Sequence, residues 1–223
     1  MSTTTTLRAI PSPLNKLIGD FLHWRVDDIN SDGGAWGSWT ARHGPVWELY
    51  KHGVQWASIP EQRRTCIQAG GALGMYPIFY DKLFKNVYSF EPEQGNFEVL
   101  MKNREITRSE FKCLNVALGA EPGRAFLEIN NSNQGMHRIN PDSDLEHRQD
   151  VKVVTIDSLE YVDVDLIHLD LEGYEITALE GAKETIANWR PVIILEHPNA
   201  DEYMKSIGYS HFCTLHDKVY LPD

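Results

Sequence analysis

The sequence predicts an α/β protein whose mostly parallel sheet is covered by helices on both faces. From residue 65 onward, short apolar runs alternate with helix-like segments, the pattern of strands buried on both sides. A glycine-containing turn, Gln68-Ala69-Gly70-Gly71-Ala72-Leu73-Gly74, follows the first of these runs. Acids stand where later runs end, at Glu91, Asp170 and Glu196, the edge along which open α/β sheets bind ligands.

Taken in order, the runs place strands at about 65–69, 86–91, 111–116, 165–170 and 191–196. Helices are expected over 74–84, 93–103 and 175–188, the last with apolar Ile176, Leu179 and Ile186 among polar residues. The stretch 124–157 interrupts the alternation: RAFLEI and VKVVTID read as strands, joined by a long polar connection of the kind that often carries function. YSHFCTL and KVYLP, separated by a His-Asp turn, predict an antiparallel hairpin closing one edge of the sheet.

A chain of 223 residues with 42% apolar content suits one main domain, placed at 61–223. Residues 1–60 form an N-terminal extension expected to pack on that core, and they hold five of the six tryptophans, Trp24, Trp36, Trp39, Trp47 and Trp56. Such aromatics suit a cap on the sheet or the interface of a homo-oligomer.

The formal charge of −11, with no lysine or arginine run, argues against a nucleic-acid partner. No apolar run approaches the roughly 18 residues of a membrane span, and the first residues lack the apolar core of a signal peptide. A cytoplasmic protein acting on a small molecule is the expectation. Cys66, Cys113 and Cys213 are odd in number and far apart, which points to reduced, buried thiols.

Glycines after a first strand let backbone approach a ligand, although a tight turn alone also needs them. What favours a ligand is Glu91, 21 residues after Gly70 at the end of the second strand, where doubly wound folds place an acid for ribose hydroxyls. Together they suggest a nucleoside cofactor contacted by Gln68, Ala69, Gly70, Gly71, Gly74, Glu91 and Pro92. Asn115 and Val116, ending the third strand, are assigned to its base, with a simple turn asparagine as the alternative.

The densest signal runs from Asp165 to Glu175, Asp-Leu-Ile-His-Leu-Asp-Leu-Glu-Gly-Tyr-Glu. His168 and Asp170, two apart on a strand, should face the same side, and Glu172 and Glu175 fall where a helix dipole favours carboxylates. Glu196 and His197 end the next strand and should open onto the same rim. Convergent carboxylates suggest proton abstraction or a metal. Asp170, Glu172, Glu196 and His197 could serve a divalent ion, yet no spacing is diagnostic and none is assigned. Asp170, Glu196 and His168 are the catalytic candidates, Asp170 also bordering the cofactor. Glu172, Glu175, His197, Asn133 and His137 are assigned to substrate, with His137 and His147 as alternative bases.

Ile156-Asp157-Ser158-Leu159, the Asp165–Glu175 block, Ala178-Leu179-Glu180-Gly181-Ala182, and Arg190-Pro191 with its strand to Glu196 resemble the FkbM-type methyltransferases over roughly residues 65–200. The resemblance implies the Rossmann-like class I fold with a seven-stranded sheet, S-adenosylmethionine held by the Gly70 turn and Glu91, and methyl transfer to a hydroxyl of a sugar or natural product. Three positions depart from the family: Gln68 stands where an acid is usual, Ala72 where an asparagine is, and His168 where lysine is common. The departures at Gln68 and Ala72 motivate one rival, a binding protein that keeps the fold without catalysis. An enzyme using NAD or a nucleotide sugar is a second rival, since a glycine turn plus an acid also serves dinucleotides.

Overall fold

The structure, a computed structural model, describes residues 62–130, 136–140, 148–214 and 217–223. The expected N-terminal extension with its tryptophans, and the candidates Asn133 and His147, lie outside the described residues.

Eleven strands and five helices are found there. Strands β1 (Thr65–Ala69), β2 (Asn86–Phe90) and β3 (Lys112–Leu114) alternate with helices α1 (Met75–Tyr80) and α2 (Gln94–Ile106). Short β4 (Ala117–Leu118), β5 (Gly123–Glu128), β6 (Arg138–Ile139) and β7 (Arg148–Val154) follow. A 3-10 turn at Asp157–Leu159 leads to β8 (Val164–Leu169), α3 (Glu175–Glu180), α4 (Lys183–Trp189), β9 (Val192–Leu195), α5 (Asp201–Ser206), β10 (Tyr209–Thr214) and β11 (Lys218–Pro222).

The main sheet has seven strands in the order β10-β11-β9-β8-β1-β2-β3. The pairs from β9 to β3 are parallel, while β11 runs antiparallel to β9 and to β10, so the expected hairpin closes the sheet. Strands β1, β8 and β9 are buried throughout, as parallel strands with helices on both faces must be. One face carries Leu73, Ile78, Phe79, Phe84 and Leu100 from the α1–α2 side. The other carries Leu179, Ile186, Met204 and their neighbours from α3, α4 and α5.

A second sheet, β4-β7-β5-β6, holds the two strands expected in 124–157 together with β4 and β6, which sequence reading did not separate. The third strand was expected to continue to 116. It ends instead at Leu114, because the Asn115 amide turns back to donate to the carbonyls of Glu91 (2.9 Å) and Pro92 (3.2 Å), and the chain then enters β4 of the small sheet.

The single helix expected over 175–188 is two. Gly181 lies between them, its carbonyl accepting from Asp157 N, and a Cβ there would sit 2.1 Å from Gly119 O. The close passage of residue 119 takes this turn out of the helical ladder, which a pattern of apolar spacing does not report. At the base of β8, Asp165 accepts from the Arg64 guanidinium and from the Arg64 backbone N–H (2.7 Å), aligning the start of β1 with β8. All three cysteines are free thiols, Cys66 buried and the other two half-buried.

Candidate active site

Strand order locates the site. From β1 the chain crosses to β2 and β3 on one side and later to β8 and β9 on the other, so a crevice opens between the carboxyl ends of β1 and β8. A cleft lies there, lined by Ala69, Gly70, Gly71 and Ala72 of the first turn, Glu91 and Pro92 after β2, and Asp170 and Glu172 after β8. Val116 and Leu118 from the β3–β4 passage, and Leu127, His137 and Ile139 from the small sheet, form the facing wall.

The first turn needs its glycines. Gly70 has φ +79, and a Cβ there would meet Asp170 O at 1.9 Å; at Gly71 it would meet Ser89 Oγ at 2.7 Å and Leu100 Cδ1 at 2.8 Å. Gly70 N and Gly71 N both donate to Phe90 O, at 3.1 and 3.0 Å. Gly74, also left-handed, caps α1 and does not border the cleft. Gln68 does not reach the cleft either. It is fully buried, its amide donating to Ala69 O and Gly70 O, each at 3.0 Å, while its oxygen accepts from Ser89 Oγ at 2.7 Å. Glutamine at this position therefore braces the turn from beneath.

Ala72 adopts φ +43, a left-handed conformation that costs an ordinary side chain about 1 kcal/mol and that asparagine tolerates. Ala72→Asn is expected to raise unfolding stability by about 0.5–1 kcal/mol, measured by urea denaturation. An unchanged or lower midpoint would show that the asparagine usual at this position serves something other than the backbone.

Glu91 is the buried acid of the cleft. One oxygen accepts from Ala72 N at 2.6 Å and the other from Glu93 N at 2.8 Å. Burial pushes its carboxyl up to about 8, against the pull of those two N–H donors and with the help of the nearby Glu93 charge. Two backbone donors hold the carboxylate in one orientation with lone pairs left for a ligand's hydroxyls. A cradle of glycines beside such an acid fits the ribose and backbone of an adenosyl cofactor. Asn115 stands behind this unit, bracing it through the two carbonyls it binds, while Val116 lines the cleft.

Across the crevice, Asp170 and Glu196 follow β8 and β9, held by Asp170 N to Ala69 O and Glu196 N to Leu169 O, both 3.1 Å. Burial drives the Asp170 carboxyl well above its ordinary value, reinforced by its hydrogen bond with Glu196 and by the charges of Glu196, Asp217 and Glu172. Glu172, in a left-handed turn at φ +53, is pushed up to about 7 by burial and by Glu196 and Glu175. One ligand atom from each of Asp170, Glu172 and Glu196 lies within 4.8 Å of the others, a spacing a divalent ion could bridge.

The other candidates are drawn elsewhere. β8 ends at Leu169, so the strand rule that paired His168 with Asp170 stops applying there. His168 is fully buried, Nδ1 at 2.9 Å from Tyr80 Oη and Nε2 at 3.1 Å from Asp217, within the α1 side of the core and outside the cleft lining. Glu175, also fully buried, accepts from Leu171 N at 2.8 Å and Gly173 N at 3.2 Å, fixing the 171–174 turn. His197 Nδ1 accepts from Asn199 N at 3.1 Å in its own turn. Sequence reading missed Tyr76, Asn96, Leu127 and Ile139, which line the cleft. A signal for Leu127 existed in the inward alternation of the RAFLEI strand. None marked Tyr76, since helical spacing alone gives no direction toward a site.

The family model "Methyltransferase FkbM domain" matches residues 73–219. No curated protein matches the chain. A solved methyltransferase FkbM from Methylobacillus flagellatus KT is similar at 16% identity and a TM-score of 0.50, covering 91% of this chain. The match spans 58% of that protein's length. A ribosomal-protein methylase from Lactobacillus delbrueckii subsp. bulgaricus is similar at 10% identity and a TM-score of 0.48, covering 79% of each chain. At these identities the solved structures speak to fold alone. Among the described residues no helix is long and apolar enough to cross a membrane.

Proposed function

We propose that this chain, which belongs to the methyltransferase FkbM domain family, uses S-adenosylmethionine to methylate a hydroxyl of a sugar or other small metabolite. The observation that carries the reading is the cradle itself: glycines that admit no side chain, facing a buried Glu91 whose two oxygens are pre-oriented by backbone N–H groups. When bound, the cofactor supplies an electrophilic methyl on a sulfonium. The chain's tasks are then to hold an acceptor in line, exclude water and move one proton.

For that proton, Glu172 is better suited than Asp170. Burial and its acidic neighbours raise the Asp170 carboxyl and so favour a proton on it, which suits it to orient an acceptor's oxygen as a donor. Glu172 lines the same cleft, is half-buried, and titrates at about 7, where a base changes state near neutral pH. A base works only when ionised, so kcat/KM is expected to rise with pH through about 7 and then level. Glu172→Gln should remove that limb and lower turnover roughly 10²-fold or more.

Calorimetric titration with S-adenosylmethionine and S-adenosylhomocysteine, with NAD and a nucleotide sugar as controls, tests the cofactor. Preference for either control would overturn the reading. Turnover on a panel of hydroxylated acceptors tests the rest. Unimpaired turnover in both Asp170→Asn and Glu196→Gln would remove those two residues from the mechanism.

A further inference from the structure

Among the polar groups of the cleft that the reading above leaves unused, His137 is the one whose free donor can be identified. His137 lies just before β6, and its ring is part of the cleft wall beside Leu127 and Ile139. Its Nδ1 sits 3.0 Å from the backbone nitrogen of Asn130. A backbone N–H can only donate, so Nδ1 must accept through its lone pair, and the proton of the neutral ring belongs to Nε2. That Nε2 is buried and meets no acceptor among the described residues. Buried N–H groups without acceptors are uncommon in folded proteins, and one in a ligand cleft marks the place of a ligand atom.

The same geometry excludes a role considered from the sequence. With Nδ1 occupied by Asn130 and Nε2 carrying the proton, the neutral ring has no lone pair free to take a proton from an acceptor. Protonating it would set an N–H at Nδ1 against the Asn130 N–H, and burial lowers its pKa besides, the Glu93 charge opposing. His137 is thus a neutral donor, which suits a cleft meant for a positively charged sulfonium.

Which part of the ligand it meets follows from position. Glu91 follows β2 and Asp170 follows β8, with β1 between them, so at about 4.8 Å per strand the two poles of the cleft are roughly 10 Å apart. Gln149 of β7 donates to Pro92 O at 2.8 Å, and Leu127 of β5 pairs with Gln149 on one side and with Ile139 of β6 on the other, so the small sheet that carries His137 is tied to the Glu91 pole, from which the Glu93 charge reaches the ring. We infer that His137 donates from Nε2 to a ring nitrogen or ribose oxygen of the cofactor's adenosine half, as a recognition residue and not as a base. This rests on the cofactor reading above.

The test uses the full chain, with S-adenosylhomocysteine and adenosine as probes. In calorimetry, His137→Phe is expected to weaken both at least tenfold, while His137→Gln, which keeps an N–H donor, recovers part of the loss. In 15N-histidine-labelled protein, the Nε2-protonated form is expected before and after ligand, with the Nε2–H signal shifting on addition of S-adenosylhomocysteine. A purely structural histidine would not move. Wild-type affinity for both probes in a His137→Phe variant of unchanged melting temperature overturns this inference alone, as does a loss confined to S-adenosylhomocysteine with adenosine unaffected. Absence of wild-type binding to S-adenosylhomocysteine overturns the cofactor reading and this inference with it.

Discussion

Glu91→Ala is expected to weaken S-adenosylhomocysteine binding by 10² or more, measured by calorimetry at pH 8. The carboxylate is oriented by Ala72 N and Glu93 N, so hydrogen bonds from two ribose hydroxyls form without reorganisation. Charge-assisted hydrogen bonds are each worth about 1.5–3 kcal/mol, and losing two at once accounts for the magnitude. The pH dependence is a sharper signature. Burial places this carboxyl at about 8 in the free protein, and hydroxyl donors favour its ionised form. Below about 8, binding must expel a proton, so wild-type affinity should rise with pH and level off above that value. The slope should vanish in the variant. The unliganded fold should show the opposite trend. A carboxyl raised from 4.5 to about 8 contributes stability that is complete below 4.5 and is lost as pH rises through about 8.

Gly70→Ala is the second large effect, expected to cost on the order of 4 kcal/mol in chemical denaturation. Two penalties add: the left-handed backbone at φ +79, and a Cβ 1.9 Å from the Asp170 carbonyl, a backbone atom with no rotamer by which to withdraw. Gly173→Ala separates them. That residue has φ +99 with nothing within 4 Å of a new Cβ, so only the backbone penalty of about 1–2 kcal/mol applies. Equal losses in the two variants would show that the approach of Gly70 to Asp170 does not contribute. Because Gly70 lies against the residue after β8, the alanine is also expected to pry open the crevice and abolish cofactor binding.

The centre of the main sheet was legible because β1, β8 and β9 are buried throughout, which writes them as apolar runs, and all five runs from 65–69 to 191–196 correspond to strands. The two poles of the cleft were legible for a related reason, since strand ends are where a polar residue interrupts such a run. What failed was direction. Gln68, His168 and Glu175 have the polarity of site residues, yet all three turn inward to satisfy backbone or buried groups. A sequence does not say whether a polar side chain serves the protein or its ligand. Helix boundaries failed where a distant segment intervened, as Gly119 does at Gly181. Of the wall from the small sheet, the strand carrying Leu127 was foreseen and the strand carrying Ile139 was read as part of a polar connection, and the position of both depends on the turn that the Asn115 amide imposes.

The placement of β11 between β9 and β10 bears on how the molecule is made. β10 emerges from the ribosome first but has no neighbour until β11 arrives, since its pairing is with β11 alone. The edge of β9 stays open over the same interval, offering unpaired backbone and buried-type side chains to any passing chain. Asp217, immediately before β11, then meets His168 inside the core, so the closing strand arrives with a polar latch. Order of synthesis and order of assembly are reversed at this edge, since β10 is made before the strand that joins it to β9.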